Sequence, residues 1–214
     1  MEPLMHTDDL IVHQPSEAAR QLVLLFHGVG ASPEGLVPLG QALARPDRWV
    51  VSVRSPFPSD MGGGWQWFSV RGIDEANRVE RIAGVMPRFV QTVQAWQART
   101  GLDASATALA GFSQGAIMSL ESTQQAAPLA SRVVAMAGRF AEPPRVAPVG
   151  TALHFIHGAQ DPVIAPSHSV NAAERLRALG ASPTVDVLPG LGHGIDERVL
   201  ALLVRALAPD AALV

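Results

Sequence analysis

Short apolar runs of strand length recur along the chain, and segments with a helical spacing of apolar residues separate them. Most of the runs are continuously apolar rather than alternating, which is typical of strands buried on both faces of a sheet. The alternation predicts an α/β fold with a mostly parallel sheet of about seven strands and helices on both faces. The predicted strands are Leu10 to His13, Gln21 to Phe26, Trp49 to Val53, Ala106 to Ala110, Arg132 to Met136, Thr151 to Ile156 and Thr184 to Leu188.

The intervening segments carry helix signals. Pro33 to Ala44 suits a first helix, with Ser32 as its N-cap and Pro33 at the first helical position. Between Ile73 and Trp96, apolar residues recur every three or four positions and form one helical face, which Pro87 is expected to kink or split. Further amphipathic patterns cover Ser167 to Leu179 and Asp196 to Leu207.

Composition limits the class of protein. A chain of 214 residues with 48% hydrophobic residues predicts one domain over residues 1–214, with residues 1–9 and 209–214 loosely ordered. The formal net charge is −3, and the sequence shows no basic stripe of the kind that binds nucleic acid. A small-molecule partner is therefore expected. The chain shows no membrane span and no secretory signal pattern, which predicts a cytoplasmic protein.

Missing residue types exclude several chemistries. All 16 basic residues are arginine, which excludes Schiff-base chemistry and a P-loop lysine. The absence of cysteine excludes thiol nucleophiles, thiolate metal sites and disulfides. His154 and His157 would face opposite sides of a strand and so do not form a metal pair. The residue types therefore argue against a pyridoxal phosphate anchor, a thiolate metal site and a metal site at this histidine pair.

One pentapeptide has the form of a nucleophile turn, Gly111-Phe112-Ser113-Gln114-Gly115. It follows an apolar run and opens a stretch rich in helix formers, the context in which a GxSxG serine becomes a nucleophile. Glycine is needed at 111 and 115 because the turn strains the serine backbone and brings strand and helix close together. Ser113 is therefore the predicted nucleophile.

An acid and a histidine follow the predicted nucleophile along the chain. Their order, Ser, Asp, His, is the one found in proteins that carry this type of nucleophile turn. Asp161 lies in a loop just after a predicted strand, and His193 lies in a glycine-rich loop after the last one. Asp186 falls inside a strand and Asp196 suits a helix cap, so both are weaker candidates. The pattern predicts that Ser113 attacks a carbonyl carbon, His193 takes its proton and Asp161 orients the imidazole.

Two main-chain N–H groups are expected to form the oxyanion hole of such a reaction. One belongs to Gln114, the residue after the nucleophile. The second is assigned to Val29, where neighbouring glycines let the backbone turn toward the site, and His27 is expected to brace this loop. Because both donors are main-chain groups, Gln114→Ala is expected to keep much of the activity.

The segment from Arg54 to Gly72 combines glycine and proline with aromatic residues. Trp65, Trp67 and Phe68 either bind substrate along a groove or pack over the edge of the sheet, and the pattern favours neither. If they line the groove, Trp67→Ala should change the preferred acyl length at constant fold.

Together these motifs resemble the small bacterial carboxylesterases related to acyl-protein thioesterases, in the phospholipase/carboxylesterase group of α/β hydrolases. The resemblance implies the α/β-hydrolase fold with little or no cap, serine esterase or thioesterase activity, and no cofactor. Ser69 and Ala137 depart from acyl-protein thioesterase relatives, which tend to carry aspartate and serine there. The matching segments are Leu24 to Gly30, Gln66 to Phe68, Gly111 to Ala116, His157-Gly158, Asp161 to Val163 and Gly192-His193.

The expected function is hydrolysis of short- to medium-chain acyl esters through an acyl-enzyme intermediate, by a monomer or homodimer. An acyl-CoA or acyl-protein thioesterase and a lysophospholipase are alternatives, and so is a catalytically silent binding module. A dinucleotide site at Gly28 to Gly30 is disfavoured because Pro33 takes the third glycine position and Arg54, not an acid, closes the next strand.

Overall fold

Nine strands and five α-helices make up the structure, a computed structural model that describes residues 8–208. The strands are β1 Leu10–His13, β2 Gln21–Phe26, β3 Arg48–Val53, β4 Phe57–Pro58, β5 Trp65–Gln66, β6 Thr107–Phe112, β7 Arg132–Met136, β8 Ala152–Gly158 and β9 Thr184–Leu188. The helices are α1 Val37–Ala42, α2 Glu75–Thr100, α3 Gln114–Ser122, α4 Ser167–Ala178 and α5 Glu197–Ala206, with 3₁₀ turns at Pro33–Leu36 and Ala104–Ala106.

The main sheet has seven strands in the order β1-β3-β2-β6-β7-β8-β9. Only the β1 to β3 pair is antiparallel; the other pairs of this sheet are parallel, which confirms the predicted architecture. A small antiparallel hairpin, β4 to β5, lies between β3 and α2 and was not predicted from the pattern.

Helices cover both faces of the sheet because successive strand residues point to opposite sides. In β2, Leu22, Leu24 and Phe26 belong to the core that contains α2, α3 and α4 residues. Val23 and Leu25 belong to the core on the other face, with residues of α1 and α5. All five side chains are fully buried, which explains the unbroken apolar run in the sequence.

Two helix predictions differ from the structure. The first helix is shorter than predicted and begins as a 3₁₀ turn, and the Ser32 side chain makes no capping hydrogen bond. α2 runs through Pro87 without a break, so the expected split is wrong. Ile82 and Phe89 are buried on either side of the proline, and this packing offsets a penalty of about 3 kcal/mol for an interior proline.

The amino-terminal residues that the structure describes are anchored rather than loose. Asp9 accepts hydrogen bonds from the Arg54 N–H at 2.8 Å and from the Trp96 indole N–H at 2.7 Å. Residues 1–7 and 209–214, for which loose order was also expected, lie outside the described residues. Across residues 8–208, no helix has both the length and the apolar character needed to cross a bilayer.

Candidate active site

Ser113 lies in a sharp turn between β6 and α3, with φ of 52° and ψ of −114°. A positive φ strains a residue that carries a side chain. A Cβ at Gly111 would lie 2.4 Å from the Ala116 nitrogen, and a Cβ at Gly115 would lie 2.2 Å from the Phe26 carbonyl oxygen. Both glycines are therefore needed for the turn that presents Ser113 at the carboxyl end of the sheet.

Ser113, His193 and Asp161 are joined by two hydrogen bonds. His193 Nδ1 lies 2.7 Å from Asp161 Oδ2, and His193 Nε2 lies 3.0 Å from Ser113 Oγ. Because a carboxylate only accepts, Nδ1 carries the ring proton and Nε2 is left to accept from the Ser113 hydroxyl. The Phe112 ring packs on the imidazole at 5.0 Å between ring centres. The arrangement places a hydroxyl beside an oriented base.

Asp161 is held as an anion by the backbone of its own loop. Its Oδ1 accepts the N–H groups of Val163 at 2.8 Å and Ile164 at 3.0 Å. Burial alone would raise the pKa of Asp161, but the hydrogen bonds from His193, Ile164 and Val163 outweigh it and bring the pKa below its usual value. The carboxylate can therefore balance a positive charge on His193.

A second histidine, His157, contacts the same carboxylate. Its Nε2 lies 2.9 Å from the Ile164 carbonyl oxygen and 3.2 Å from Asp161 Oδ2, so Nε2 carries the proton. Nδ1 accepts from the Ser169 hydroxyl at 2.8 Å. Burial lowers the pKa of His157, although the nearby Asp161 carboxylate acts to raise it. The lowered pKa keeps the ring neutral. Sequence reasoning did not assign this residue a role; the signals were its place four residues before Asp161 and the His157-Gly158 segment of the family resemblance.

The loop after β2 lies directly against the nucleophile. A Cβ at Gly28 would be 3.2 Å from Ser113 Cβ. His27 Nδ1 donates to the Gly28 carbonyl at 2.8 Å, and its Nε2 accepts from the Ser55 N–H at 3.3 Å. Burial lowers the pKa of His27, so the ring stays neutral. His27 therefore contacts this loop as predicted.

The contact with His27 also orients the next N–H group. The C=O and N–H of a trans peptide point in opposite directions, and the structure has no cis peptide among its described residues. Since the Gly28 carbonyl points to His27, the Val29 N–H points away from it. No hydrogen bond within residues 8–208 engages this N–H, which leaves it available to a ligand.

Gln114 contributes more than its backbone. It is the first residue of α3, where the helix offers its N–H no acceptor. Its side chain is buried, with Oε1 accepting from the Trp67 N–H at 2.7 Å and Nε2 donating to the Phe68 carbonyl at 2.8 Å. These partners are 46 and 47 residues away in sequence, and no motif indicated the contact.

Two of the three aromatic residues considered for the groove lie in the core instead. The Trp67 side chain is fully buried and packs edge-on against Phe89 at 5.0 Å between ring centres. Phe68 is also buried. The large apolar area of these rings explains their burial. Trp65 is partly exposed, with the Arg54 guanidinium 4.1 Å from its ring centre.

Two features away from Ser113 were considered as further sites within residues 8–208. No group of three or more histidine, aspartate or glutamate side chains is placed to hold a metal ion there. A cavity of about 910 Å³ opens at the amino ends of the strands, beside Gln21, Arg132 and Thr184, at the opposite edge of the sheet from Ser113.

The sequence and the structure are similar to known esterases. Residues 7–208 match the phospholipase/carboxylesterase family. The chain is 48% identical over 196 residues to Esterase YpfH of Escherichia coli K12, with 91% of this chain and 84% of the relative covered. Esterase PE8 superposes with a TM-score of 0.81 at 28% identity, over 90% of this chain and 94% of PE8.

The carboxylesterase of Bacillus cereus has a TM-score of 0.78 at 17% identity, over 92% of this chain and 91% of that one. Likeness at this identity concerns the fold, which is the α/β-hydrolase fold. The family match covers all of the described residues. The chain belongs to the phospholipase/carboxylesterase family.

Proposed function

We propose that this protein is a serine carboxylesterase that hydrolyses short- to medium-chain acyl esters through an acyl-enzyme. The observation that carries the proposal is the unbroken hydrogen-bond chain from Ser113 through His193 to Asp161. Family membership and the similarity to Esterase YpfH support the same reaction class.

In the first half-reaction, Ser113 Oγ attacks the ester carbonyl carbon while His193 Nε2 takes the hydroxyl proton. A bond forms between Oγ and carbon, and the electron pair of the carbonyl moves onto its oxygen. Asp161 stabilises the imidazolium through Nδ1. The tetrahedral intermediate then expels the alcohol, which takes the proton back from His193 and leaves an acyl group on Ser113.

In the second half-reaction, water attacks the acyl carbon and gives its proton to His193 Nε2. Collapse of the intermediate breaks the bond to Ser113 Oγ, returns the proton to that oxygen and releases the carboxylic acid. The main-chain N–H groups of Val29 and Gln114 stabilise the oxyanion in both steps. Each such donor is typically worth about 2.7 to 4 kcal/mol of transition-state stabilisation.

The small number of insertions between the main strands supports small esters as substrates. Within residues 8–208, the β4 to β5 hairpin is the one sheet element outside the main sheet. The same residues contain no additional helices inserted as a cap domain. Trp65 remains our candidate for contact with substrate because its ring is partly exposed. Trp67 and Phe68 are not assigned such contact because both are buried.

The test is hydrolysis of p-nitrophenyl butyrate by the wild type, Ser113→Ala and Ser119→Ala. Ser119 is a matched control because it is a buried serine of α3, the helix that follows Ser113, and its hydroxyl donates to the Gly115 carbonyl at 2.8 Å. Ser113→Ala is expected to lose about 10⁶-fold in kcat, and Ser119→Ala is expected to stay active. Equal activity in the wild type and Ser113→Ala would reject the proposal.

Esters and thioesters that share one acyl chain would then separate carboxylesterase from thioesterase activity. A carboxylesterase should show the higher kcat/KM on the ester. A wild type inactive on every acyl chain from acetyl to decanoyl, ester and thioester alike, would favour a binding module.

A further inference from the structure

The segment Trp65 to Phe68, here called the connecting segment, contacts both sides of the proposed oxyanion site. At one end, the Trp65 carbonyl accepts the Gly30 N–H at 3.0 Å, and the Trp65 N–H donates to the Ala31 carbonyl at 2.8 Å. These bonds form an antiparallel bridge next to Val29. The loop that carries one proposed donor is therefore fixed to this segment.

The other end of the connecting segment is bound by the Gln114 side chain. Its amide oxygen accepts a hydrogen bond from the Trp67 N–H, and its amide nitrogen donates one to the Phe68 carbonyl. The two partners determine the orientation of the amide, because an N–H requires the oxygen and a carbonyl requires the nitrogen. The backbone N–H of this same residue is the second proposed donor. One side chain thus links its own backbone to the segment that holds the other donor.

The connecting segment is itself anchored between these two ends. The Trp67 ring is fully buried against Phe89 and Phe26, at 5.0 and 6.1 Å between ring centres. The peptide groups at 67 and 68 therefore have a rigid support. Rigid support matters because donors stabilise an oxyanion only when they are held in place before the charge develops.

We propose that the Gln114 side chain is a positioning residue that sets the distance between the Val29 and Gln114 N–H groups through the connecting segment. This inference rests on the proposed function. It replaces the expectation that Gln114→Ala keeps much of the activity, because the side chain holds the segment to which the loop with the other donor is bound.

The first experiment compares Gln114→Met with Gln97→Met on p-nitrophenyl butyrate. Gln97 is the matched control because its Nε2 also makes two hydrogen bonds, to Thr107 Oγ1 at 3.0 Å and the Leu129 carbonyl at 2.9 Å. Thr107 begins β6, so this contact lies about 20 Å from Ser113 at the other end of the strand. Both variants lose two side-chain hydrogen bonds, which are buried at Gln114 and part-buried at Gln97, so Gln114→Met should lose more stability and kcat is compared at a temperature where both are folded.

A positioning role predicts that only Gln114→Met loses kcat, by about 10- to 100-fold, with KM changed less than threefold. A purely structural role predicts equal kcat in the two variants at a temperature where both are folded. That second result would overturn the inference.

Gln114→Glu gives an independent readout if Gln114→Met does not fold. A protonated glutamic acid offers one acceptor and one donor, like the amide, whereas the carboxylate offers no donor to the Phe68 carbonyl. The kcat ratio of Gln114→Glu to wild type should therefore rise as the pH falls from 8 to 5.5. A ratio that stays flat across this range would contradict the proposed role.

Ser113→Ala in the same assay separates the two possible failures. If Ser113→Ala keeps its activity, the proposed function itself is wrong. If Ser113→Ala is inactive while Gln114→Met matches Gln97→Met, the serine mechanism stands and only the positioning role is wrong.

Discussion

The two sides of Ser113 are built from different chemical groups. On one side, the groups proposed to act are the side chains of His193 and Asp161, which are hydrogen-bonded to each other. On the other side, the proposed donors are main-chain N–H groups of Val29 and Gln114. Their positions depend on the distant connecting segment. We call these the base side and the oxyanion side.

A buried neutral histidine supports each side. His157 contacts Asp161 and the Ile164 carbonyl on the base side, and His27 contacts the Gly28 carbonyl on the oxyanion side. The proposed reactive side chains and the proposed reactive backbone groups therefore each have a buried histidine beside them. On the base side, the Asp161 carboxylate accepts N–H groups two and three residues further along its own loop. On the oxyanion side, the Gln114 side chain binds backbone groups 46 and 47 residues away.

The largest expected effect is on the base side. Asp161→Asn should lower kcat about 10⁴-fold, because an amide no longer holds His193 in the tautomer that accepts the Ser113 proton. Steady-state kinetics on p-nitrophenyl butyrate would measure the loss. Asp186→Asn is the control, since Asp186 lies in β9 and its side chain pairs with Arg205 at 3.6 Å. A comparable loss in both variants would contradict the assignment of Asp161.

On the oxyanion side, Trp67→Ala should lower the free energy of unfolding by about 3 to 5 kcal/mol, because it empties a fully buried site. Urea denaturation would measure the change. Trp65→Ala should cost less because that ring is partly exposed. The preferred acyl length should stay the same in Trp67→Ala. A shifted acyl preference at unchanged stability would restore the groove interpretation of Trp67.

A pair of glycines sharpens the test of the oxyanion side. A Cβ at Gly64 would lie 2.2 Å from the Gly30 carbonyl oxygen and 2.5 Å from the Ala31 carbonyl oxygen, whereas one at Gly62 meets nothing within 4 Å. Both have positive φ, of 64° and 83°. Each alanine variant should therefore lose about 1 to 2 kcal/mol of stability from backbone strain.

Only Gly64→Ala should also lower kcat, by about tenfold, because it displaces the loop that carries Val29. Kinetics below the melting temperatures of both variants would separate the two effects. Equal kcat in Gly64→Ala and Gly62→Ala would argue against coupling between the bridge and the oxyanion site.

The smallest expected effect is on the pH dependence of folding stability, to which one buried histidine on each side contributes. The pKa values of His27 and His157 are lowered by burial below the usual 6.5, so the unfolded chain takes up protons first as the pH falls. Stability is therefore full above pH 6.5 and declines below it, until the folded-state pKa is reached. Each ring contributes up to about 1.4 kcal/mol per pH unit. Burial also lowers the pKa values of His154 and His168. Because both residues are partly exposed, we expect a smaller contribution to stability from them.

Urea denaturation between pH 7.5 and 5.5 would measure this decline. His157→Gln should reduce the slope, because one buried histidine no longer titrates in the unfolded chain. Equal stability at both ends of this pH range would show that the two rings are not held neutral.

Much of the fold could be predicted from sequence because its strands are short, apolar and buried on both faces. The strands Gln21–Phe26, Arg132–Met136 and Thr184–Leu188 have the predicted bounds. Helix details were less predictable: Pro87 is a strong local signal for a break, yet core contacts on both sides of it keep α2 continuous. Local propensity decides an element only where tertiary packing does not outweigh it.

The sequence by itself determined the order of elements and, through the spacing of Ser113, Asp161 and His193, which side chains would meet. Parallel strands bring their carboxyl ends to one edge, so residues that follow separate strands converge without further information. Only the tertiary structure decided that Trp67 is a core residue and that the Gln114 side chain binds the connecting segment. Those facts depend on contacts that side chains make with residues far apart in sequence, and no local residue pattern specifies such contacts.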